Sequence, residues 1–501
     1  MKKKDFFYLC KAIALIIPSL AYGNMDKQEK NRPNIIYFLV DDLGWGDLEC
    51  YGNLFVKTPH INKMAEEGML FEQFYVNAPL CSPSRAALIT GQFPARNGIH
   101  YWMGTKHNKQ YGMPEFLDTS RITVQGLFQQ AGYSTAHFGK WHLGHHEDAP
   151  VSLYEYDEVD YIWGGVGPNH GIRANHPQGT EMLVDRSVKF MKNCLEKEVP
   201  FYINLWLRDV HAALDPSDES LARYKHLMSQ QEFKTGMQIY YAAITEMDFQ
   251  LGRLIKWIDS QPGLAENTII VFTSDNGPED PYIPHCGHHA VGLPGPFRGR
   301  KRSLYEGGLR VPFIIKWKGT IPEGLVDNQS VISSVDILPT FCSLSGIKTP
   351  ENYLFDGEDV SKLFYTGKPH IRKKALYWEW RFDGVGQCLN RSPMLAIRDG
   401  KWKLLMNPDK SRVELYNIPE QPMELHSVAY KHPRIVKKLC KKVLNWQNEL
   451  PKGPVTDKPG SDEYPGYPEN AGRGPVMDSN VYKKILSPVK VNITREDVLN
   501  D

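Results

Sequence analysis

The stretch "NIIYFLVDD", residues 34–42, decides the fold class of this chain. Seven uncharged residues rich in β-branched and aromatic side chains are typical of a strand that is buried on both faces of a parallel sheet. The run ends abruptly at Asp41 and Asp42. A second stretch, "TIIVFTSDN" at 268–276, has the same form and ends at Asp275 and Asn276.

Strand-like and helix-like segments alternate along the rest of this part of the chain. Further strand-like runs occur at 133–138, 201–207 and 313–317, and apolar residues at helical spacing predict helices after Thr58, at 124–131 and at 237–258. Strands that alternate with helices indicate an α/β domain with a large, mostly parallel sheet sandwiched by helices.

The pattern changes near residue 375. Short strand-like segments follow one another closely at 376–380, 394–398, 401–406 and 413–417, and a helix face is predicted at 436–444. We therefore predict an α/β domain at 24–375. We predict a C-terminal α+β subdomain at 376–501, with an antiparallel sheet, a packed helix and an extended Pro/Gly-rich tail.

Composition excludes several classes of function. The 501 residues include 59 Lys+Arg and 58 Asp+Glu, a net charge of +1, so no long-range field favours nucleic acid or an anionic membrane. Apolar residues are 41% of the chain, which argues against disorder. The eight cysteines form no CxxC pair, which argues against a zinc ribbon or a dithiol redox site. Oligomeric state is left open.

The N-terminus has the pattern of a secretory signal. Residues 1–23 combine Lys2–Lys4, a short apolar stretch at 12–20 and Ala21-Tyr22-Gly23. The apolar stretch is too short to span a bilayer core of about 30 Å, so we expect no stable membrane insertion. The prediction is a mature protein from Asn24 that is periplasmic or secreted.

The two strand ends form the first group of residues that could carry chemistry. Ligands in open α/β sheets bind beyond the carboxyl ends of the strands, so Asp41, Asp42, Asp275 and Asn276 are expected to converge. Three carboxylates and an amide oxygen suit Ca²⁺ or Mg²⁺ better than zinc. Taken alone, Asp-Asn-Gly is usually only a turn.

The segment "CSPSRAALITG", residues 81–91, is the second group. Ser82 as N-cap and Pro83 in the first turn predict a helix whose N-terminus lies at Cys81, where an anion is favoured, with Arg85 one turn further on. An exposed cysteine there would have a lowered pKa and could act as a nucleophile. The alternative is an inert buried thiol.

These motifs together carry a resemblance to a family. "CSPSRAALITG" resembles the signature of type I sulfatases, alkaline-phosphatase-like enzymes in which the cysteine of Cys-x-Pro-x-Arg is oxidised to formylglycine. "NIIYFLVDDLGWGDLECYG" and "TSDNG" resemble their metal strands. "GKWHLG" at 139–144, "FRGRKRSLYEGGLRVP" at 297–312 and "ELYNIPEQP" resemble their Lys/His motif, lysine loop and C-terminal hairpin. The resemblance runs from Asn34 to Asn448.

The resemblance implies a role for each matching residue. It implies Ca²⁺ held by Asp41, Asp42, Asp275 and Asn276 together with a formylglycine made from Cys81 by a maturation enzyme. Arg85 would brace that residue, and Lys140 and Lys301 would contact sulfate. His142 would act on the hydrated aldehyde. His211 matches a histidine near the leaving group, although the usual following proline is absent.

Specificity is expected to come from loops around the crevice, because aromatic side chains beside polar groups suit a sugar ring. The candidate substrate-binding residues are His100, Trp102, Asn169, His170, Asp209, His285, His288, Trp378 and Arg381. The alternative for each is an ordinary packed loop or sheet. A zinc cluster at 285–289 is disfavoured, because adjacent ligands rarely surround one ion well.

We therefore expect an exported sulfatase that hydrolyses O-sulfate esters of carbohydrates, with a sulfated glycan as substrate. The first alternative is a phosphate or phosphonate ester hydrolase of the same superfamily. The second is a non-catalytic glycan-binding relative.

Overall fold

The computed structural model describes most of the chain between residues 32 and 461. The described ranges are 32–104, 108, 110–144, 149–161, 177–212, 214–227, 235–281, 287–383 and 386–461. The predicted signal and most of the predicted tail lie outside them, as do Asn169, His170, His285 and the side chain of His288. Within these ranges, no helix has both the length and the apolar character that crossing a bilayer requires.

Thirteen strands form two sheets in the described ranges. Their bounds are β1 Asn34–Val40, β2 Met69–Tyr75, β3 Ser134–Gly139, β4 Glu158–Tyr161, β5 Phe201–Leu207, β6 Thr268–Ser274, β7 Arg310–Lys316, β8 Leu325–Asp327, β9 Ile332–Ser333, β10 Leu376–Glu379, β11 Leu395–Asp399, β12 Trp402–Met406 and β13 Val413–Asn417.

The large sheet has the order β4-β3-β5-β1-β6-β7-β2-β8, with β9 pairing with β2. Strand β1 lies at its centre, parallel to both β5 and β6, and every residue of β1 is buried. Strand β7 runs antiparallel to β6 and to β2. The predicted large, mostly parallel sheet is therefore confirmed, with one antiparallel strand inside it.

Ten α-helices accompany the sheets in the described part. They are α1 Pro59–Glu66, α2 Cys81–Thr90, α3 Val124–Gln130, α4 Pro177–Glu196, α5 Asp218–Arg223, α6 Gly236–Asp259, α7 Glu306–Leu309, α8 Ile337–Leu344, α9 Ser361–Thr366 and α10 Pro433–Asn448. Side-chain caps start several of them: Thr123 Oγ1 accepts the N–H of Gly126, and Thr235 Oγ1 accepts that of Gln238.

The small sheet is antiparallel with the order β10-β11-β12-β13, as predicted. Its hairpin turns at Gly400, where Asp399 pairs with Trp402. Apolar side chains of both sheets belong to one continuous core that includes Phe313, Trp378 and Leu404. The small sheet is thus packed directly onto the large one, and the division at residue 376 stays a prediction.

Several local features differ from the sequence prediction, and three of them lie near the site or flank the large sheet. Strand β2 was missed because Glu72 and Gln73 interrupt its apolar run, and helix α4 was missed entirely. The N-cap prediction for Ser82 is wrong: helix α2 begins at Cys81, and Leu80 is the N-cap. Ser82 Oγ accepts the N–H of Met103 instead, at 2.9 Å.

Candidate active site

Sheet register brings the two acidic strand ends together. Val40 of β1 pairs with Ser274 of β6, so the residues that follow, Asp41 and Asp275, leave the sheet side by side. The N–H of Asp42 donates to Asp275 Oδ1 at 3.1 Å, and Asn276 Nδ2 donates to Asp42 Oδ1 at 2.6 Å. The four predicted metal ligands therefore form one buried group at the carboxyl edge of the sheet.

Three of the seven non-glycine residues with positive φ in the described ranges lie at this edge. Asp42, His142 and Arg302 have φ angles of 65°, 63° and 70°, in the left-handed region that non-glycine residues rarely adopt. Such conformations persist only where the surrounding structure enforces them, and they occur preferentially at functional sites. Each of these residues lies within, or next to, a motif that the sequence pattern singled out.

Three basic side chains face the carboxylates. Arg85 Nε donates to Asp275 Oδ2 at 2.9 Å, and Arg85 Nη1 donates to the carbonyl oxygen of Lys140 at 2.6 Å. Lys140 Nζ pairs with Asp41 Oδ2, and Lys301 Nζ lies 2.6 Å from Asp42 Oδ2. Burial opposes ionisation of Asp41, but these charges and that of His211 outweigh it and hold its pKa well below the ordinary value.

The donor set fits a hard divalent cation. Among the described residues, Asp41 Oδ1 and Asn276 Oδ1 are buried without a hydrogen-bond partner, and such acceptors are costly unless something binds them. Burial and the neighbouring Asp41 raise the pKa of Asp275 to about 7. A cation there would favour the ionised form, and oxygen ligands suit Ca²⁺ or Mg²⁺.

Cys81 adjoins this group at the first residue of α2. Its Sγ and carboxylate oxygens of Asp41 and Asp42 all lie within 4.8 Å of one another. The side chain is buried, and burial raises the thiol pKa to about 11 despite the charges of Lys140 and Lys301. An exposed cysteine with a lowered pKa is therefore not what the structure contains, and the thiol itself is neutral at physiological pH.

Two predicted histidines also reach the group. His211 Nε2 lies 3.6 Å from Asp42 Oδ2, and Arg208 Nη2 lies 3.1 Å from His211 Nδ1. The His142 ring lies 6.1 Å from that of Trp102. Burial is the main cause that lowers the pKa of both imidazoles, so it favours their neutral forms.

Sequence reasoning missed a second buried group beside the first. Glu279 and His289 lie close to Asp42, on the side of Lys301, and Arg302 pairs with Glu279. Glu279 follows Asn276 by three residues in "DNGPED", which is the signal that could have suggested it. Its partners come from residues 289–302, and that fold-back is not visible in the sequence.

The predicted sugar-binding residues separate into different environments. Trp102 is half-buried beside His142, as a substrate contact would require. Trp378 is a correction: it is 1% exposed, and its Nε1 donates to the carbonyl oxygen of Val76, so it packs in the core.

The remaining described candidates bond to protein groups. His100 Nδ1 and Arg381 Nε lie 2.7 and 2.8 Å from the same Glu379 oxygen, and the side chains of all three residues are largely covered. Asp209 accepts from Thr180 Oγ1 at 2.7 Å. Their polar groups are turned to these partners, so the geometry does not support them as sugar contacts.

Two glycines bring the metal-strand end and the lysine loop into backbone contact. The N–H of Gly277 donates to the carbonyl oxygen of Gly308 at 3.1 Å, and a Cβ on Gly277 would overlap the carbonyl oxygen of Gly307. The segment at 307–308 can therefore approach the metal-strand end only because position 277 lacks a side chain, and a Cβ on Gly307 would instead overlap the carbonyl oxygen of Gly299 within the lysine loop.

Comparisons with known proteins agree with this geometry. The Sulfatase family model matches residues 33–347, and the model for the C-terminal part of N-sulphoglucosamine sulphohydrolase matches residues 297–449.

Individual relatives of the chain are also named as sulfatases. The chain is 31% identical to N-acetylgalactosamine-6-sulfatase of Rattus norvegicus, over 74% of this chain and 72% of the relative. It is 27% identical to N-acetylgalactosamine-6-O-sulfatase of Bacteroides thetaiotaomicron, over 82% and 92%. Among solved structures, PsFucS1 sulfatase from Pseudoalteromonas sp. superposes with a TM-score of 0.67 at 25% identity, covering 86% of this chain and 93% of that one. The chain therefore belongs to the sulfatase family and is a sulfuric ester hydrolase.

Proposed function

We propose that this protein is an exported, Ca²⁺-dependent sulfatase that hydrolyses O-sulfate esters of carbohydrates through a formylglycine made from Cys81. The observation that carries the proposal is the buried group in which Cys81 adjoins oxygen ligands and the cations Arg85, Lys140 and Lys301.

The cations account for recognition of a compact anion. Lys140 and Lys301 are both buried, with 6% and 4% of their surface exposed. In such a water-poor site each fixed charge acts on a sulfate group more strongly than it would in water, and no reorganisation is needed when charge develops. Arg85 positions Lys140 through the carbonyl hydrogen bond and holds Asp275 through its guanidinium.

The state of Cys81 explains why modification is part of the proposal. A buried thiol with a pKa of about 11 offers little thiolate at neutral pH and is a poor nucleophile. Formylglycine would supply a hydrated aldehyde as nucleophile, and Ca²⁺ held by Asp41, Asp42, Asp275 and Asn276 would supply charge stabilisation.

The histidines supply proton transfer. A neutral His142, favoured by its burial, can accept a proton beside the nucleophile. His211 Nε2 faces the carboxylate group, and Arg208 lies against its Nδ1, an arrangement suited to donating a hydrogen bond to the departing alcohol oxygen.

The sugar is proposed from chemistry and from the names of relatives. Trp102 beside His142 and the neighbouring Tyr101, whose ring lies 6.4 Å from that of Trp102, provide aromatic surface next to the sulfate-binding cations. Two relatives are named for 6-sulfated N-acetylgalactosamine, so that sugar is the first substrate to test.

The deciding experiment compares ester classes. Purified protein with calcium is assayed on N-acetylgalactosamine 6-sulfate, other sulfated mono- and disaccharides, nitrophenyl sulfate and nitrophenyl phosphate, with release of sulfate or phosphate measured. We expect turnover of at least one sulfated sugar. Faster turnover of the phosphate ester would favour the phosphate hydrolase alternative, and binding without turnover would favour the glycan-binding one.

Two further measurements test the modification and the export. Peptide mass spectrometry of the Cys81 segment should detect formylglycine in active preparations, and unmodified cysteine in a fully active enzyme would contradict that part. N-terminal sequencing of protein made by the native host should begin near Asn24, as the signal at 1–23 predicts. Retention of residue 1 would contradict export by cleavage.

A further inference from the structure

Glu279 is a buried carboxylate that no step of the proposed reaction uses. It is 4% exposed and lies in the loop after β6, three residues beyond Asn276. Arg302 pairs with it through both terminal nitrogens, and the contact from Arg302 Nη2 to Glu279 Oε2 is 3.2 Å. Lys301 Nζ and His289 Nε2 approach the same oxygen at 3.5 and 3.6 Å.

The backbone at Lys301 is held from two sides. The N–H of Lys301 donates to the carbonyl oxygen of Pro278 at 2.9 Å, next to Glu279. The N–H of Arg302 donates to the carbonyl oxygen of Pro79 at 2.7 Å, two residues before Cys81. The left-handed φ of 70° at Arg302 is what lets neighbouring residues reach these two segments.

That left-handed conformation is unfavourable for arginine and must be enforced by surrounding contacts. The pairing of Arg302 with Glu279 is the charged side-chain contact that can enforce it, beside a hydrogen bond between Arg302 and Tyr101. Arg300 adds to the same loop closure, because its Nη1 donates to the carbonyl oxygen of Glu279 at 2.9 Å. Buried charges held in this way are costly to separate, since a lone buried charge has no solvent to stabilise it.

Lys301 lies between two carboxylates as a result. Its Nζ is 2.6 Å from Asp42 Oδ2 and 3.5 Å from Glu279 Oε2. With Asp42 engaged as a metal ligand, Glu279 is the second carboxylate that can hold the Lys301 side chain in place.

We propose that Glu279 is a positioning residue that, through Arg302, holds the strained Lys301–Arg302 turn and so sets where Lys301 meets the sulfate group. The inference rests on the proposed role of Lys301 in sulfate binding. Glu279 touches no substrate atom, and its whole effect passes through Lys301.

A double-mutant cycle tests this dependence. The variants E279Q, K301A and E279Q/K301A are compared with wild type on the best sulfated substrate, with kcat and KM measured separately. We expect E279Q to lower kcat by about 30–100-fold with a change in KM below about threefold, as loss of transition-state stabilisation predicts. The double variant should fall no more than about threefold below K301A, because coupled residues are not additive.

Inorganic sulfate gives a readout without turnover. As a competitive inhibitor it should bind E279Q about tenfold more weakly than wild type. E279D, which keeps the charge, should retain most of the activity, and the exposed-site control E323Q should match wild type. If E279Q does not fold, the test uses E279D and two substitutions at Arg302, R302A and R302G. R302G relieves the backbone strain, so it should lose less activity than R302A.

Three outcomes would overturn the proposal: wild-type kinetics in E279Q, a full multiplicative loss in the double variant, or equal losses in E279D and E279Q. Metal analysis adds a fourth. Two bound ions per chain, the second lost in H289A, would mean that Asp42, Glu279 and His289 bind a cation rather than position Lys301. Loss of all activity in K301A while E279Q is unaffected would refute this inference and leave the proposed function intact.

Discussion

Two of the buried groups of carboxylates and cations in the described part of the chain differ in whether their ligand atoms are close enough together to hold a cation. One is the group around Asp41, Asp42 and Asp275 at the carboxyl edge of the large sheet. The other, here called the interface cluster, consists of Tyr75, Glu306, Arg398, Lys403 and Glu424 and lies between the two sheets.

In the interface cluster each carboxylate oxygen of the two glutamates has a protein group within ion-pair or hydrogen-bond distance, although Glu424 Oε1 makes no regular hydrogen bond among the described residues. Lys403 Nζ lies 2.9 Å from Glu306 Oε1 and 2.9 Å from Glu424 Oε1. Tyr75 O–H donates to Glu306 Oε2 at 2.5 Å, and the N–H of Glu306 donates to Glu424 Oε2 at 2.6 Å. Both glutamates therefore pair with one shared protein cation.

The edge group has two unpartnered acceptors, and left-handed backbone occurs in both groups, at Asp42 and at Glu424, whose φ is 55°. Asn276 Oδ1 and Asp41 Oδ1 are buried without hydrogen bonds among the described residues, and Asp42 has a φ of 65°. Buried charge alone therefore does not distinguish a reactive site from a structural one. The edge group is distinguished by ligand atoms of Asp41, Asp42 and Cys81 that lie close enough together to hold a cation, which is not found for Glu306 and Glu424 in the described part of the chain.

The sharpest test of the comparison is C81A, which should reduce sulfate ester turnover by about 10⁴-fold or more because the nucleophile is lost. The protein should remain folded, since replacing a buried thiol by a methyl group removes few contacts and costs about 1 kcal/mol. Turnover and thermal unfolding are measured together. The matched control is C342A, a buried cysteine in α8, which should keep full activity. Substantial turnover by C81A would contradict the assignment.

Removing the cation or a ligand should have the next largest effect. D42N should lower kcat/KM by about 10²–10³-fold, because an anionic ligand and a partner of Lys301 are both lost. In wild type, calcium at about 100 times its Kd should stabilise the fold by about 2.7 kcal/mol, measured as a shift in thermal unfolding. D42N should show little of that shift.

The control for this experiment is D248N. Asp248 is also buried, but it accepts the N–H groups of His60 and Ile61 at the start of α1. Its calcium response should equal that of wild type. A calcium response that persists in D42N would show that the cation binds at another site.

The interface cluster should respond in the opposite way. K403M leaves Glu306 and Glu424 without their shared cation, and breaking a buried pair costs about 3–5 kcal/mol. We expect a clear fall in the unfolding temperature with specific activity of the folded enzyme within about twofold of wild type. K401M, at an exposed neighbouring position, is the control. Loss of activity without loss of stability would show that the interface cluster is functional.

The smallest expected effect concerns Asp209, because burial raises the pKa of its carboxyl group to about 7. Because the folded pKa lies above the unfolded one, Asp209 contributes stability at low pH that is lost as the pH rises from about 4 to about 7. The D209N variant has no carboxyl group to ionise at this position. Its free energy of unfolding should therefore exceed that of wild type by about 1–3 kcal/mol at pH 8, and the difference should vanish near pH 4. Denaturant unfolding across that pH range measures this. A wild type that is more stable than D209N at pH 8 would contradict the assignment.

Much of the fold could be predicted because its central strands are uninterrupted. Residues 34–40 and 201–207 were predicted with their observed bounds, since a fully buried strand has one continuous apolar run. The convergence of Asp41 with Asp275 follows from parallel strands that end together. Strand β2 was not predicted, because Glu72 and Gln73 interrupt its pattern where tertiary contacts bury it.

Only those residues of the site that lie in recognisable sequence motifs could be predicted. Cys81, Lys140 and Lys301 stand in recognisable segments, but the burial of Cys81 depends on packing that no short segment encodes. Glu279 was missed for a related reason: its role depends on Arg302, whose side chain returns to it only through a strained turn. Contacts between loops are the part of the site that single-sequence patterns omit.

The contact between Gly277 and Gly307 limits how this enzyme could be redesigned. Exchange of substrate loops with a relative would succeed only if both glycines are kept, because alanine at 277 would overlap the carbonyl oxygen of Gly307 and alanine at 307 would overlap that of Gly299. The variable surface available to an engineer therefore lies around Trp102 rather than between residues 277 and 307. Libraries for altered sugar preference can leave the second region untouched.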